Sequence, residues 1–185
     1  MQAERQQKLH NLIGGFAWYA DLALRVHIAN LRMIIAEFPK DIRNAPLSYL
    51  LHMTIKGGVD LLVMELAQAT DLLDKAIRDL GDTAGLHRTE AVTDLERIRN
   101  TLLAHLMEAS ISGDKDRRWY QEKYGSYDKV LSLLEMALDD LQHAARKTMQ
   151  RPDFRTGHSS GRAPEGLRRE DIHALVDTLR KGGIW

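Results

Sequence analysis

The sequence predicts an all-α fold: a four-helix up-down bundle followed by a C-terminal linker and a short helix. Three observations carry that expectation. Apolar residues recur three or four positions apart almost throughout, the spacing of helices that bury one face. Clusters of Pro, Gly, Asn and Asp interrupt this spacing and mark off long periodic stretches. No run alternates apolar and polar residues as a half-buried strand would, and no internal repeat stands out.

The first helix is expected from about Gln2 to Phe38, with the stripe Leu9, Leu12, Ile13, Phe16, Ala20, Leu24, Ile28, Leu31, Ile35 and Phe38. Pro39 and the Asn44-Ala45-Pro46 turn end it and open the second. That helix should run from about Leu47 to Leu80, carrying Leu50, Leu51, Ile55, Val59, Leu62, Val63, Leu66, Leu73, Ile77 and Leu80. Gly57-Gly58 lies inside it, at a cost of roughly 1 kcal/mol per glycine in helix propensity. Either a neighbouring helix approaches closely there or the helix breaks. Gly81-Asp82-Thr83-Ala84-Gly85 is a loop.

The third helix begins near Thr89, with Val92, Leu95, Ile98, Leu102, Leu103 and Leu106 facing inward. Gly113 to Gly125 reads as a charged, aromatic connection. A fourth helix follows from about Tyr127 to Met149, with Val130, Leu131, Leu134, Leu138 and Leu141 on its inner face. Arg151 to Gly166 is rich in Gly, Ser, Pro and Arg and reads as a flexible linker. A short helix from about Arg169 to Lys181 closes the chain. Its small stripe, Ile172, Leu175, Val176 and Leu179, cannot fold alone and must dock elsewhere. The expected organisation is a helical domain over 1–149 and a basic linker with a helix over 150–185.

Composition narrows the function classes. The chain has 185 residues, enough for one domain plus an extension, and such a domain buries roughly 70% of its unfolded surface. With no cysteine, disulfides, thiolate zinc sites and thiol catalysis are excluded. The N-terminus, Met-Gln-Ala-Glu-Arg-Gln-Gln-Lys, lacks the apolar segment of a signal peptide. No apolar run approaches the roughly 18 residues of a membrane span; Ile55 to Ala69 comes closest, and Lys56, Asp60 and Glu65 interrupt it. A cytoplasmic protein without a membrane partner is expected. Twenty-six basic and 26 acidic residues balance, which argues against a uniformly basic nucleic-acid binder. From Arg146 to Lys181, however, nine Arg and Lys face five Asp and Glu, a net +4. That tail either meets an acidic partner, RNA included, or is solvated.

Arginine followed after four to six residues by histidine occurs four times: Arg5/His10, Arg99/His105, Arg151/His158 and Arg168/His173. With 17 arginines and 8 histidines in the chain, about two such pairs are expected by chance, so the spacing alone decides nothing. Only Arg99 is followed directly by asparagine. Only that pair falls in the third helix, with Leu-Leu-Ala before its histidine.

The run Arg99-Asn100-Thr101-Leu102-Leu103-Ala104-His105, after an apolar-patterned stretch and before a charged loop and a final helix, resembles the HEPN superfamily, in particular its abortive-infection branch. The resemblance covers roughly residues 1–149 in helix order and is specific at Arg99, Asn100, Ala104 and His105. Members are small all-helical domains, often dimeric. Many are metal-independent endoribonucleases of phage defence or toxin–antitoxin systems; others are non-catalytic. The resemblance implies His105 as general acid/base, Arg99 as phosphate partner and Asn100 as a positioning group, with no cofactor, an RNA substrate and a homodimer. An antitoxin or other partner protein would be reached through the C-terminal segment. Met107 stands where some nuclease toxins of the superfamily carry a modifiable tyrosine, so regulation by that route is not expected.

The chemistry is coherent in its own terms. A ribose 2′-hydroxyl attacks the adjacent phosphate once a base takes its proton, and histidine serves as base or acid. A guanidinium fork stabilises the charge that builds on phosphorus oxygens. Six residues on one straight helix place Arg99 and His105 some 240° apart, by about 100° per residue. They meet only if the motif lies at a helix start or if two copies face each other.

Two other groups compete. Lys115, Arg117, Arg118, Trp119, Tyr120, Lys123 and Tyr124 mix cations with aromatics, which suits single-stranded RNA. The bland alternative is a solvated turn with its aromatics tucked onto the helices, since Gly113 to Gly125 nets only +1. A di-iron bundle would need Glu-x-x-His on two helices. The sequence holds one, Glu170 to His173 in the tail, and no metal site is expected.

Overall fold

The computed structural model describes residues 2–38, 42, 44–107, 114–152, 154 and 165–183, and of residues 2, 21, 101–107 and 114–117 the backbone only. Within them the protein is all-helical, without strands. Helix α1 (Gln2–Tyr19) runs through a π-helical turn (Ala20–Leu24) into α2 (Arg25–Glu37), so the expected first helix is one rod. Then come α3 (Ala45–Asp79), α4 (Glu90–Met107), α5 (Asp114–Tyr124), α6 (Tyr127–Met149) and α7 (Arg169–Lys181). One expectation fails: the supposed connection between Gly113 and Gly125 is helix α5. Its apolar positions are too sparse to signal a helix alone. Trp119 and Tyr120 pack on the core and Tyr124 is buried, so tertiary contact stabilises it.

The helix starts follow from local chemistry. Asn44 caps α3, its side-chain oxygen accepting from the Leu47 N–H at 3.1 Å, with Pro46 in the first turn. Thr89 caps α4 through its hydroxyl oxygen, which accepts from Val92 N–H at 3.2 Å. That hydroxyl also donates to Asp140 on α6 at 2.6 Å, tying the cap to a second helix. Ser126 caps α6 by accepting from Lys129 N–H. Gly81, at φ 95°, ends α3 in the left-handed region that glycine adopts without strain.

Helix α6 is the hub and packs against α1, α2, α3 and α4. Leu131, Leu133, Leu134, Ala137, Leu138 and Leu141 are fully buried along it. α3 contributes Leu62, Val63, Leu66 and Leu73, and α4 contributes Val92, Leu95 and Ile98. The helix does not break at Gly57-Gly58. A Cβ on Gly58 would lie 3.1 Å from Leu31 Cδ2, so close approach of α2 explains one glycine. Gly57 faces open space, and nothing in the packing accounts for it.

Polar ties fix the registers. Arg32 on α2 grips Glu135 on α6 with both fork nitrogens, at 2.9 and 2.8 Å, and also donates to Ser132. Gln142, almost fully buried, donates to the Ala17 carbonyl just before the π turn. α7 docks on α2: Ile172 and Val176 are buried, and Arg169 and His173 both meet Glu37, at 2.7 and 3.0 Å. The Leu167 N–H donates to Asn30 at 2.7 Å. Among the described residues, no helix is long and apolar enough to cross a membrane.

Candidate functional site

α4 is unbroken from Glu90 to Met107, and Arg99 is its tenth residue. The motif therefore does not lie at a helix start, which removes one of the two geometries that would join Arg99 to His105. Positions 99 and 105 share one straight helix and diverge by about 120° the short way round, with about 9 Å of rise between them. The side chains of Ala104, His105 and Met107 lie outside the described residues.

Arg99 sits on the flank of α4 that faces α3. Its Nη1 donates to Asp71 at 2.7 Å and its Nε to the neighbouring Asn100 Oδ1 at 3.2 Å. Those bonds engage two of the five guanidinium N–H groups. Asp71 is the residue that sequence reasoning missed as Arg99's companion. It lies 28 residues away on another helix, and no local spacing announces such a pair. Arg99 is 21% exposed and Asp71 55%, so the pair is worth only about 0.2–1 kcal/mol. Removing Arg99 should therefore leave the fold standing.

Further ion pairs continue along the α3–α4 seam. Asp74 accepts from Leu86 N–H at 2.8 Å and from Arg78 at 3.2 Å, with Arg88 at 3.9 Å. Burial pushes the Asp74 carboxyl up, but the Leu86 amide, Arg78 and Arg88 outweigh it and hold it below the usual range. Its contribution to stability is thus present at neutral pH and lost on acidification. Arg88 also lies 3.3 Å from Glu96 Oε1, close enough for an ion pair but not aligned as a hydrogen bond.

Lys123 and the aromatics after the motif turn toward the neighbouring helices. Lys123 spans Glu90 and Asp94 of α4, both at 2.6 Å, and these carboxylates hold its ammonium charged far beyond the usual range. The Tyr124 hydroxyl donates to buried Asp94 at 2.5 Å. Trp119 lies under the Arg97 guanidinium, 3.9 Å from its ring centre, and meets Tyr124 edge-on. Tyr120 is half-buried near Asp60 and Lys56, and burial raises its phenol. Arg118 is exposed; the side chains of Lys115 and Arg117 lie outside the described residues. Trp119, Tyr120 and Lys123 thus clamp α5 to the helices beneath it. In the tail, His173 of the Glu-x-x-His pattern binds Glu37.

The clamp makes a checkable claim. Burial first, then the Asp94 bond, pushes the Tyr124 phenol from 10.0 up to about 12. A raised folded-state value means stability that is whole below pH 10.0 and lost as pH climbs through about 12. Tyr124→Phe should cost about 1–2 kcal/mol at neutral pH and flatten that alkaline loss. Denaturant melts of both proteins across the alkaline range, read with ultraviolet phenolate titration, check it.

Comparisons of the chain with protein-family models, with curated proteins and with solved structures return no match.

Proposed function

We propose that the protein is a cytoplasmic HEPN-like endoribonuclease of phage defence or a toxin–antitoxin system, cutting RNA without a metal as a homodimer. In this reading the rod 2–37 with α3, α4 and α6 forms an up-down four-helix bundle. The observation that carries it is Arg99: a part-exposed guanidinium held in place by Asn100 and Asp71, on a helix flank rather than in the core. Preorganised donors of this kind stabilise a pentacoordinate phosphate at little reorganisation cost.

A second copy supplies what one helix cannot. Leu50, Met53, Leu61 and Leu72 are large, apolar and exposed on α3, and Leu72 adjoins Asp71. An isologous pairing over this stripe brings α4 of each copy near the other. His105 of one copy then removes the 2′-hydroxyl proton. Arg99 of the other steadies the phosphoryl oxygens. The proton that His105 has taken passes through water to the departing 5′-oxygen, completing a transesterification whose products are a 2′,3′-cyclic phosphate and a 5′-hydroxyl end.

The Arg99–Asp71 pair favours one competing reading, a non-catalytic helical module in which that arginine is only a tie between helices and the basic tail meets a partner protein. Single-stranded RNA incubated with the protein and a chelator separates the two. Cleavage with cyclic phosphate ends is expected. Intact RNA across varied substrates would favour the module, and cleavage that the chelator abolishes would point to a metal.

A further inference from the structure

A cleft of about 510 Å³ opens between the α3–α4 loop and the last turns of α6. It is larger than the other described clefts, which measure about 300–330 Å³, and its size suits a small organic ligand. Its floor is apolar, built from Ile77, Leu86 and Ala144. One wall is a stripe of α6. Asp140, His143 and Lys147 follow one another at intervals of three and four residues, so they line one face, and Arg151, two residues past the end of the helix, adds to the same wall. The loop carrying Asp82 and His87 forms the facing wall.

The donor set is what marks this cleft. Most described cations of this chain are tied to carboxylates, as Arg5, Arg25, Arg32, Arg99 and Lys123 are. Among the described residues, the side chains of His87, His143 and Lys147 have no hydrogen-bond or ion-pair partner. Three uncommitted nitrogen-bearing side chains and Arg151 thus rim one depression with an apolar base. Asp140 accepts the Thr89 hydroxyl through one carboxylate oxygen, which leaves the other able to accept from a ligand.

We propose that this cleft binds a phosphorylated nucleoside. The phosphoryl group meets Lys147, Arg151 and the two imidazoles, which are suited to its oxygens. A flat base covers Ile77, Leu86 and Ala144, which a bare phosphate would leave exposed. The carboxylates of Asp82 and Asp140 accept from ribose hydroxyls or an exocyclic amine. Thr89 lies ten residues before Arg99, about 15 Å along α4 at 1.5 Å per residue. The cleft therefore holds its ligand whether or not Arg99 cleaves RNA.

Isothermal titration of the full chain with AMP and UMP, beside inorganic phosphate and adenosine, tests this. At least one nucleotide should saturate below about 1 mM, with phosphate and adenosine each at least about tenfold weaker. Lys147→Glu should weaken nucleotide binding at least about tenfold. Lys129→Glu, on the same helix about 27 Å away, should leave it unchanged. Both lysines are exposed, so neither change threatens the fold. A 5′-phosphorylated trinucleotide tells the source apart: tighter binding than AMP assigns the cleft to an RNA end, weaker binding to free nucleotides. No saturation by either nucleotide at about 10 mM, phosphate binding as tightly as AMP, or equal losses in the two lysine variants would overturn the proposal.

Discussion

His105→Ala is expected to lower RNA cleavage by about 10²–10⁴-fold, the usual contribution of a positioned acid or base. A variant that keeps the parent's circular-dichroism spectrum and a cooperative melt assigns that loss to chemistry. Arg99→Ala should cost about 10²–10³-fold through the lost guanidinium, and at most about 1 kcal/mol of stability, because the Asp71 pair it breaks is part-exposed. Rates for a short single-stranded RNA in chelator, beside circular-dichroism melts, check both variants. Equal activity in His105→Ala would remove the histidine from the mechanism.

Leu134→Ala should be the most damaging core truncation, at about 3–4 kcal/mol. Leu134 is fully buried on α6, the helix that packs on α1, α2, α3 and α4. Losing its methyls opens a void that none of these neighbours can fill without leaving another. For a chain of this length the melting point should fall by roughly 10 °C. Met136→Ala, two residues on and 53% exposed, should change stability by less than about 0.5 kcal/mol. Urea titrations with an unchanged slope would assign both effects to stability.

Helices whose buried face repeats every three or four residues were legible from apolar spacing alone, as α6 shows: its expected span, Tyr127 to Met149, is the observed one. The helix starts at the Asn44-Ala45-Pro46 turn and near Thr89 were equally readable, and both residues prove to be caps. Helix α5 was not, because Asp114–Tyr124 owes its helix to contacts made far away in sequence, among them Lys123 with Glu90 and Tyr124 with Asp94. The π turn at Ala20–Leu24 leaves no mark in the apolar spacing either. At the candidate site, the residue types of Arg99 and Asn100 could be picked out, but their setting could not. Asp71 reaches Arg99 from α3, and only the packing of two helices reveals that meeting. The cleft beside α6 was not legible either: Asp140, His143 and Lys147 share a helix face, but only packing brings the Asp82–His87 loop against them.

In the proposed dimer, Arg99 of one copy and His105 of the other act together. Mixing inactive Arg99→Ala protein with inactive His105→Ala protein, after brief unfolding and refolding together, tests it most directly. Half of randomly paired dimers carry both variants, and each of these keeps one of its two arginine–histidine pairings intact. RNA cleavage in chelator should then return to about a quarter of the parent's rate, as follows from random isologous pairing. A mixture as inactive as its two components, beside an active parent, would contradict the claim.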